Sequence, residues 1–451
     1  MTTNFILIGL YFLLLLAIGW WAGRRESESD FAIASRKVGV LRSTASMFSV
    51  IGGVLLVGQA TLAFTLGVGA MWFWVGVALG VIILGFAASK IKPVADQYNF
   101  LTISEYFKLR WGKLNGIFSA AIIFVGFFAL LTAQFIVVGN ILEPFLNISY
   151  TTVVIVTGLV VLAYLLLGGY KAVIITDTVQ ALLMLAILVL LASVIPYSNF
   201  SQEQLSLFNV DTITILSFVV LGAATILASA DIWQRIFSSQ SVAVARKATY
   251  LTGALFIIFG FIITLVGIAA SGAFPDANPD NAFFLGLFEL VPEGLLGLSV
   301  VLVLAAIMST VDTESFLLST IIAKDFIPAS KLEKEGLKKI IRTALIGVAI
   351  LAMIIAIFVS NILIILFGIM SLIATISPAV FGSLFWQLKN KAVLLSMVGG
   401  VGTLVVLFMI GQFSPETAVL TFPVALVLLI LGQLLFKHDQ GGSELASVGG
   451  E

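Results

Sequence analysis

Long apolar runs separated by short polar connections make up most of this chain. A helix needs roughly 20 consecutive apolar residues to cross a membrane, and by that length the sequence holds about thirteen candidate spans. They are residues 3–22, 43–66, 72–89, 115–139, 151–167, 173–196, 212–232, 248–271, 295–322, 343–360, 362–386, 392–411 and 417–436. The pattern therefore predicts an all-α integral membrane protein embedded in a lipid bilayer.

The composition agrees with a chain whose surroundings are mostly lipid. Of its 451 residues, 60% are hydrophobic and 10% are charged, whereas soluble domains carry about 25% charged residues. The chain has no cysteine, which excludes disulfides and thiolate metal sites. Its single histidine, His438, follows the last candidate span, so no histidine proton relay through the membrane is expected.

The positive charges predict how the chain is oriented. All 23 Lys and Arg residues fall in alternate connections or in the C-terminal tail. The remaining connections carry acidic residues instead, such as Glu203, Asp276 and Glu416. Cytoplasmic connections are the ones enriched in Lys and Arg. We therefore expect a multi-pass protein of the cell (inner) membrane with its N-terminus outside and its C-terminus in the cytoplasm.

An odd number of spans permits an inverted repeat of two five-helix halves with opposite orientations in the membrane. The repeat is not visible in the letters themselves. If it is present, residues 1–451 form a single membrane domain with four parts. These are a peripheral first helix and inner loop (1–41), a first repeat (42–196), a second repeat (197–386), and two peripheral helices with a short tail (387–451).

Polar residues inside the spans are functional candidates because they are costly to retain in hydrocarbon. Asp177 lies about two turns into the span at 173–196, where a carboxylate needs a cation, a donor or a proton. A salt bridge with Lys171 near the membrane surface is the structural alternative. Ser309 and Thr310 lie beside Asp312 in the span at 295–322. They either satisfy their own helix or offer oxygen ligands to a hard cation such as Na⁺.

The pair Gly52-Gly53 lies in the middle of the span at 43–66. Two adjacent glycines are tolerated there if the backbone opens and frees carbonyl oxygens toward a cavity. The alternative is close helix packing, since small residues let membrane helices approach one another. The letters leave both interpretations open.

Missing motifs exclude several classes of protein. No Gly-x-x-x-x-Gly-Lys-Ser/Thr loop occurs, so an ATP-driven pump is not supported. Without cysteine, an intramembrane histidine or a nucleophile–base pair, we predict no enzyme, and nothing indicates a nucleic-acid partner. The tail after Lys437 is fourteen residues long in this sequence, too short for an output domain, so a membrane solute sensor is the more distant alternative.

Three segments of the chain resemble the sodium/solute symporter family. They are 168–180 (Gly-Gly-Tyr-Lys-Ala-Val through Thr-Asp to Gln), 233–235 (Trp-Gln-Arg) with 245–248, and 305–310 (Ala-Ala-Ile-Met-Ser-Thr) with 323–325. A weaker fourth is 102–107 with Arg110. The resemblance implies a leucine-transporter-type fold whose five-plus-five inverted-repeat core comprises helices 2–11. It also implies sodium-coupled symport of a small polar or zwitterionic solute into the cell by alternating access.

The resemblance further implies a Na⁺ site between the second and ninth helices. By position, its ligands are the backbone carbonyls of Phe48, Ile51 and Ala306 and the hydroxyls of Ser309 and Thr310. Asp177 matches a family aspartate next to that site that helps to bind or release sodium. A second sodium is not expected, because Ala306 is at the position of the serine that some members use for it.

The resemblance does not identify the solute. Proline carriers have an aspartate where Val50 falls, so proline specificity is not predicted. Polar groups facing the middle of the membrane, Ser49, Gln59 and Gln134, are the candidate solute contacts. A proton-coupled carrier of the same fold, in which Asp177 or Asp312 titrates, is the nearer alternative to sodium coupling.

Overall fold

The computed structural model describes residues 2–24, 26–195, 200–358 and 362–437. No β-strand occurs within these residues; the secondary structure is helical. The helices are α1 (Thr2–Gly23), α2 (Glu28–Ile33), α3 (Val40–Ser49), α4 (Gly53–Leu66), α5 (Met71–Gln97), α6 (Ile103–Trp111), α7 (Lys113–Leu146), α8 (Tyr150–Val194), α9 (Thr212–Leu227), α10 (Ala230–Ser238), α11 (Val242–Ala273), α12 (Ala282–Phe288), α13 (Glu293–Ile321), α14 (Ala329–Glu335), α15 (Leu337–Phe358), α16 (Ile362–Ala374), α17 (Ser377–Ser383), α18 (Asn390–Met409), α19 (Pro415–Ala418) and α20 (Thr421–Leu435).

The predicted all-α membrane architecture is confirmed. By length and composition, 9 helical segments in the described part can cross a membrane, or 10 if the bent pair α9 and α10 counts as one span. Two of these segments, Gly53–Gln97 and Tyr150–Val194, are 45 residues long. At 1.5 Å per residue each measures about 68 Å, roughly twice the thickness of the hydrocarbon layer. The first segment covers 72–89 and only part of the predicted span 43–66, whereas the second covers 151–167 and nearly all of 173–196. The total of thirteen spans stays a prediction.

Two glycines divide these long segments. Gly67, between α4 and α5, and Gly169, within α8, both have positive φ angles, of 56° and 48°. A residue without a Cβ atom adopts such angles at no steric cost. The backbone therefore turns between each pair of predicted spans.

The Gly52-Gly53 pair proves to serve both of the purposes considered from the sequence. Residues 50–52 separate α3 from α4, so the helix does open. A Cβ atom at Gly52 would collide with the side chain of Thr310, and one at Gly53 would lie 2.5 Å from Cγ1 of Ile307. The break in the helix therefore packs directly against α13.

The central helices pack around α8, α13 and α5. Helix α8 contacts α1, α3 and α13, whereas α5 runs along α9 and α11, and α18 packs chiefly with α20. The pairing of α18 with α20 agrees with two peripheral helices at the end of the chain. The predicted boundaries at 41, 196 and 386 and the orientation of the termini stay predictions, and His438 lies outside the described residues.

On the predicted cytoplasmic side, polar contacts connect the loops. Arg36 donates to the carbonyl oxygens of Phe100 and Phe237, at 2.7 and 3.0 Å. The buried Glu26 carboxylate lies 2.6 Å from Lys338 Nζ, and burial raises the pKa of Glu26 despite that partner. The loop after α1 is therefore tied to the beginning of α15.

Glycines also set the distance between α5 and α9. A Cβ atom at Gly76 would collide with the carbonyl group of Val219, and one at Gly80 would lie 2.7 Å from the carbonyl oxygen of Ala223. The two backbones are therefore in direct contact, as small residues permit in membrane helices.

We predict that Gly76→Ala lowers the melting temperature of the detergent-purified protein, because overpacking costs about 1–3 kcal/mol. The control is Gly347→Ala in α15, where an added Cβ atom meets nothing within 4 Å. There alanine should leave stability unchanged or raise it, since it is the better helix former. Equal melting temperatures for the two variants would contradict the close α5–α9 contact.

Candidate functional site

Oxygen atoms from two chain segments converge where the break between α3 and α4 meets α13. The Ser309 hydroxyl lies 2.5 Å from the carbonyl oxygen of Ser49 and 2.9 Å from that of Ala306. The Thr310 hydroxyl lies 3.2 Å from the carbonyl oxygen of Val50 and 3.3 Å from that of Ala306. Two side-chain hydroxyls and three backbone carbonyls thus form one buried cluster of neutral oxygens.

The α13 members of the predicted ligand set lie in this cluster, but the carbonyls opposite them differ. The hydroxyls reach Ser49 and Val50, which lie between the predicted ligands Phe48 and Ile51. The Phe48 carbonyl instead accepts a 3.4 Å hydrogen bond from the Ile51 amide. A helix end leaves its last four carbonyls without helical partners, so the sequence does not fix which of them face α13. The assignment of Phe48 and Ile51 stays a prediction.

The chemistry of the cluster fits a small hard cation. Such cations prefer oxygen ligands. Carbonyl oxygens only accept, and a hydroxyl that donates to one neighbour still has lone pairs to offer. The residues that hold α13 against the broken helix are therefore also able to surround a sodium ion.

Asp177 is buried on α8, beside α3. Its Oδ2 atom accepts hydrogen bonds from the Ser46 hydroxyl and from Arg235 Nη2, the latter at 2.9 Å. Both members of this ion pair are fully buried. The alternative in which Asp177 pairs with Lys171 is therefore wrong. The α10 helix brings Arg235 into the protein interior, whereas the sequence places it in a cytoplasmic connection.

Arg235 links four helices. Its Nε atom donates to the carbonyl and hydroxyl oxygens of Ser46 on α3, at 2.9 and 2.8 Å. Its Nη2 atom donates to the Thr313 hydroxyl on α13 at 2.6 Å, and its Nη1 atom to the Asp231 carbonyl at 3.1 Å. With the bond to Asp177 on α8, these contacts tie α3, α8, α10 and α13 together. We call this set the Arg235 network.

Sequence reasoning did not single out the Arg235 side chain as a functional group. The available signal was an arginine within the apolar helical stretch 230–238, where a charge needs a partner. Which carboxylate it meets depends on helix packing, because Asp177 lies 58 positions away along the chain.

Asp312 occupies a separate polar environment. Its Oδ2 atom accepts hydrogen bonds from the Tyr164 hydroxyl at 2.8 Å and the Thr176 hydroxyl at 3.1 Å. Its Oδ1 atom has no hydrogen-bond partner among the described residues. Asp312 is therefore held by neutral donors on α8, on the side of α13 away from Gly52.

The candidate solute contacts are divided between two places. Gln134 Oε1 accepts a 3.3 Å hydrogen bond from the Val54 amide at the start of α4, and the Ser49 hydroxyl lies 3.2 Å from the Ser46 carbonyl. Both side chains thus lie at the helix break. Gln59 donates to the Thr264 hydroxyl at 2.7 Å. It lies about 9 Å further along α4, at 1.5 Å per residue.

Comparison with known proteins identifies the family of this chain. The sequence profile of the sodium:solute symporter family matches residues 31–400. The sodium/proline symporter of Staphylococcus aureus (strain NCTC 8325 / PS 47) is 26% identical, over 91% of this chain and 86% of that protein. The osmoregulated proline transporter OpuE of Bacillus subtilis (strain 168) is 23% identical, over 89% of this chain and 88% of that protein.

Solved structures show the same fold. A substrate-bound, outward-open Na⁺-coupled sialic acid symporter superimposes with a TM-score of 0.76 at 17% identity, covering 96% of this chain and 98% of that one. The nucleobase-cation-symport-1 transporter Mhp1, in a closed conformation, gives a TM-score of 0.56 at 15% identity, with 89% and 92% covered.

The predicted leucine-transporter-type fold is therefore confirmed. The family profile covers most of the chain, and the two relatives align with nearly the whole of it. This protein belongs to the sodium:solute symporter family, and it is a sodium-coupled symporter of a small solute.

Proposed function

We propose that this protein imports a small polar or zwitterionic solute together with Na⁺, which binds between the α3–α4 break and α13. The observation that carries the proposal is the contact between the two α13 hydroxyls and the carbonyl oxygens freed at the break. The ligands are the hydroxyls of Ser309 and Thr310 and the carbonyl of Ala306, with carbonyls from residues 48–51.

Sodium from outside enters this cluster and holds the two helices together. Its ligands are neutral, so the ion's own charge is the only net charge in the oxygen cluster. A membrane potential supplies about 2.3 kcal/mol per charge per 100 mV to inward movement of the ion. This energy drives accumulation of the solute in the cell if the sodium ion and the solute are released together on the inside.

The Arg235 network closes the inner side in the described conformation. It fixes the inner half of α3 through Ser46, three positions before Ser49. When the network opens, α3 is free to move away from α13, and the sodium ligands separate. Asp177 then offers its carboxylate to the departing ion, which is the role that the family resemblance gives it.

The solute binds at the helix break, close to the sodium ion. Ser49 and Gln134 lie there, and Gln134 accepts a hydrogen bond from the Val54 amide in the first turn of α4. Gln59, with Trp74 and Met370, lines a cavity further along α4. We assign Gln59 to the outer approach. The solute screen described below tests sodium coupling against proton coupling in the same fold.

Thr310→Ala should raise the sodium concentration needed for half-maximal thermal stabilisation about tenfold or more, because it removes a ligand oxygen. Thr320→Ala is the matched control. That hydroxyl is buried on the same helix and bonded to the Phe316 carbonyl at 2.9 Å. An unchanged sodium titration in Thr310→Ala would disprove the site assignment.

Arg235→Gln should lower the melting temperature strongly, because removing one partner of a buried ion pair costs about 3–5 kcal/mol. Arg246→Gln changes an exposed arginine in the same way and should have little effect. Adding Asp177→Asn to Arg235→Gln should recover part of the loss. Additive effects in this double-mutant cycle would show that the two side chains do not interact.

A thermal-shift screen of small solutes, each in Na⁺ and in K⁺, tests sodium coupling directly. A solute at a hundred times its dissociation constant stabilises the protein by about 2.7 kcal/mol. We expect the substrate to raise the melting temperature only in Na⁺. The same shift in K⁺ would reject sodium coupling and favour the proton-coupled carrier.

A further inference from the structure

Buried acidic residues outnumber buried cations where α8, α10 and α13 meet. Among the described residues, the buried carboxylates are Asp177, Asp231, Asp312 and Glu314. Arg235 is the buried cation that lies among them, and its ion pair is with Asp177. No Lys or Arg of the described chain forms an ion pair with the other three. Asp231, Asp312 and Glu314 are therefore buried carboxyl groups without a cationic partner in the described part of the protein.

Glu314 is the least satisfied of these side chains. It is 1% exposed, and neither carboxylate oxygen has a hydrogen-bond partner among the described residues. By contrast, Asp231 Oδ1 accepts from the Ser229 hydroxyl and from the Ile232 amide, the latter at 2.8 Å.

Gln234 is a second unsatisfied side chain on the facing helix. It is 1% exposed, and neither its amide nitrogen nor its amide oxygen has a partner in the described part of the protein. It lies three positions after Asp231 on α10, so the two share a helix face. A buried polar group without a partner costs about 1–3 kcal/mol, which favours a ligand that binds these atoms.

These groups lie close to the transport path. Glu314 is one helical turn beyond the sodium ligand Thr310, on the same side of α13. Asp231 is in the first turn of α10, directly after the bend between α9 and α10. The 2.6 Å bond between Arg235 and Thr313 shows that α10 and α13 touch at this level.

We propose that Glu314 and Asp231 bind the ammonium group of the transported solute and that Gln234 binds its carboxylate, an inference that rests on the proposed symport function. An ammonium group has three donors and no acceptor, which matches the free oxygens of Glu314. The Gln234 amide N–H groups need an acceptor, which a metal ion does not offer. The carboxylate of a zwitterionic solute supplies one. The solute class is therefore zwitterionic amines.

The test compares α-amino acids with the α-hydroxy acids that carry a hydroxyl in place of the ammonium group. Their binding to wild-type protein is measured by thermal shift at saturating Na⁺. We expect binding only within the amino-acid set, and a loss of affinity of about tenfold or more in Glu314→Gln. Glu293→Gln, an exposed glutamate at the start of the same helix, is the matched control and should bind like wild type.

Three outcomes would each overturn the proposal. The hydroxy acids bind as well as the amino acids, none of the amino acids binds, or the Glu314→Gln variant binds the amino acid with unchanged affinity. A Glu314→Gln variant that weakens the Na⁺ titration without solute and leaves solute affinity intact would also overturn it, because Glu314 would then be a sodium ligand. If Glu314→Gln does not fold, Asp231→Asn takes its place with the same expected loss.

Failure of the proposed symport function is visible separately. In that case no solute of either set raises the melting temperature of the wild-type protein in a way that depends on Na⁺. A sodium-dependent shift produced by neutral or anionic solutes keeps the symport function and rejects the ammonium subsite.

Discussion

The break in the helix at residues 50–52 is the constraint on which the rest of the structure depends. A helix that opens in a low-dielectric interior leaves backbone carbonyls without their usual partners, and water is not available to replace them. Here the hydroxyls of Ser309 and Thr310 meet those carbonyls. The atoms that satisfy the open backbone are also the atoms that suit a sodium ion. The oxygen atoms that pack α13 against the break are therefore the same atoms that we propose as sodium ligands.

This contact requires a close approach of two helices, which the glycines allow. A side chain at Gly52 or Gly53 would push α13 away from the break, and the hydroxyls would then fall short of the carbonyls. The amide of Gln134 satisfies the opposite end of the break, at the first turn of α4. A polar interruption of a membrane helix is thus enclosed by side chains from two neighbouring helices, which is how such an interruption is tolerated at membrane depth.

The charged layer next to this neutral cluster has a different physical role. A buried charge is stable only with a partner. The free energy lost when one partner is removed is much larger than the net free energy by which the pair stabilises the fold. The Arg235–Asp177 pair and its neighbouring hydrogen bonds therefore join four helices as long as both side chains stay together. A transporter needs such a junction to be firm in one conformation and broken in another.

The sequence by itself determined the membrane class, because apolar length is a local property of the chain. Through the family resemblance it also identified Ala306, Ser309 and Thr310, which the structure places together. It did not identify Arg235 as the partner of Asp177, and it placed Gln59 with Ser49 and Gln134, although they lie apart. It also could not fix which carbonyls of α3 face α13.

Only the tertiary structure decided these points, and the reason is the solvent. In lipid nearly every face of a helix is apolar, so hydrophobic periodicity does not reveal which face meets which neighbour. Partners such as Asp177 and Arg235 are set by the rotation and depth of whole helices against one another. Those parameters depend on close packing at glycines and on the breaks at residues 50–52 and 228–229, which become defined only when all the helices are in place.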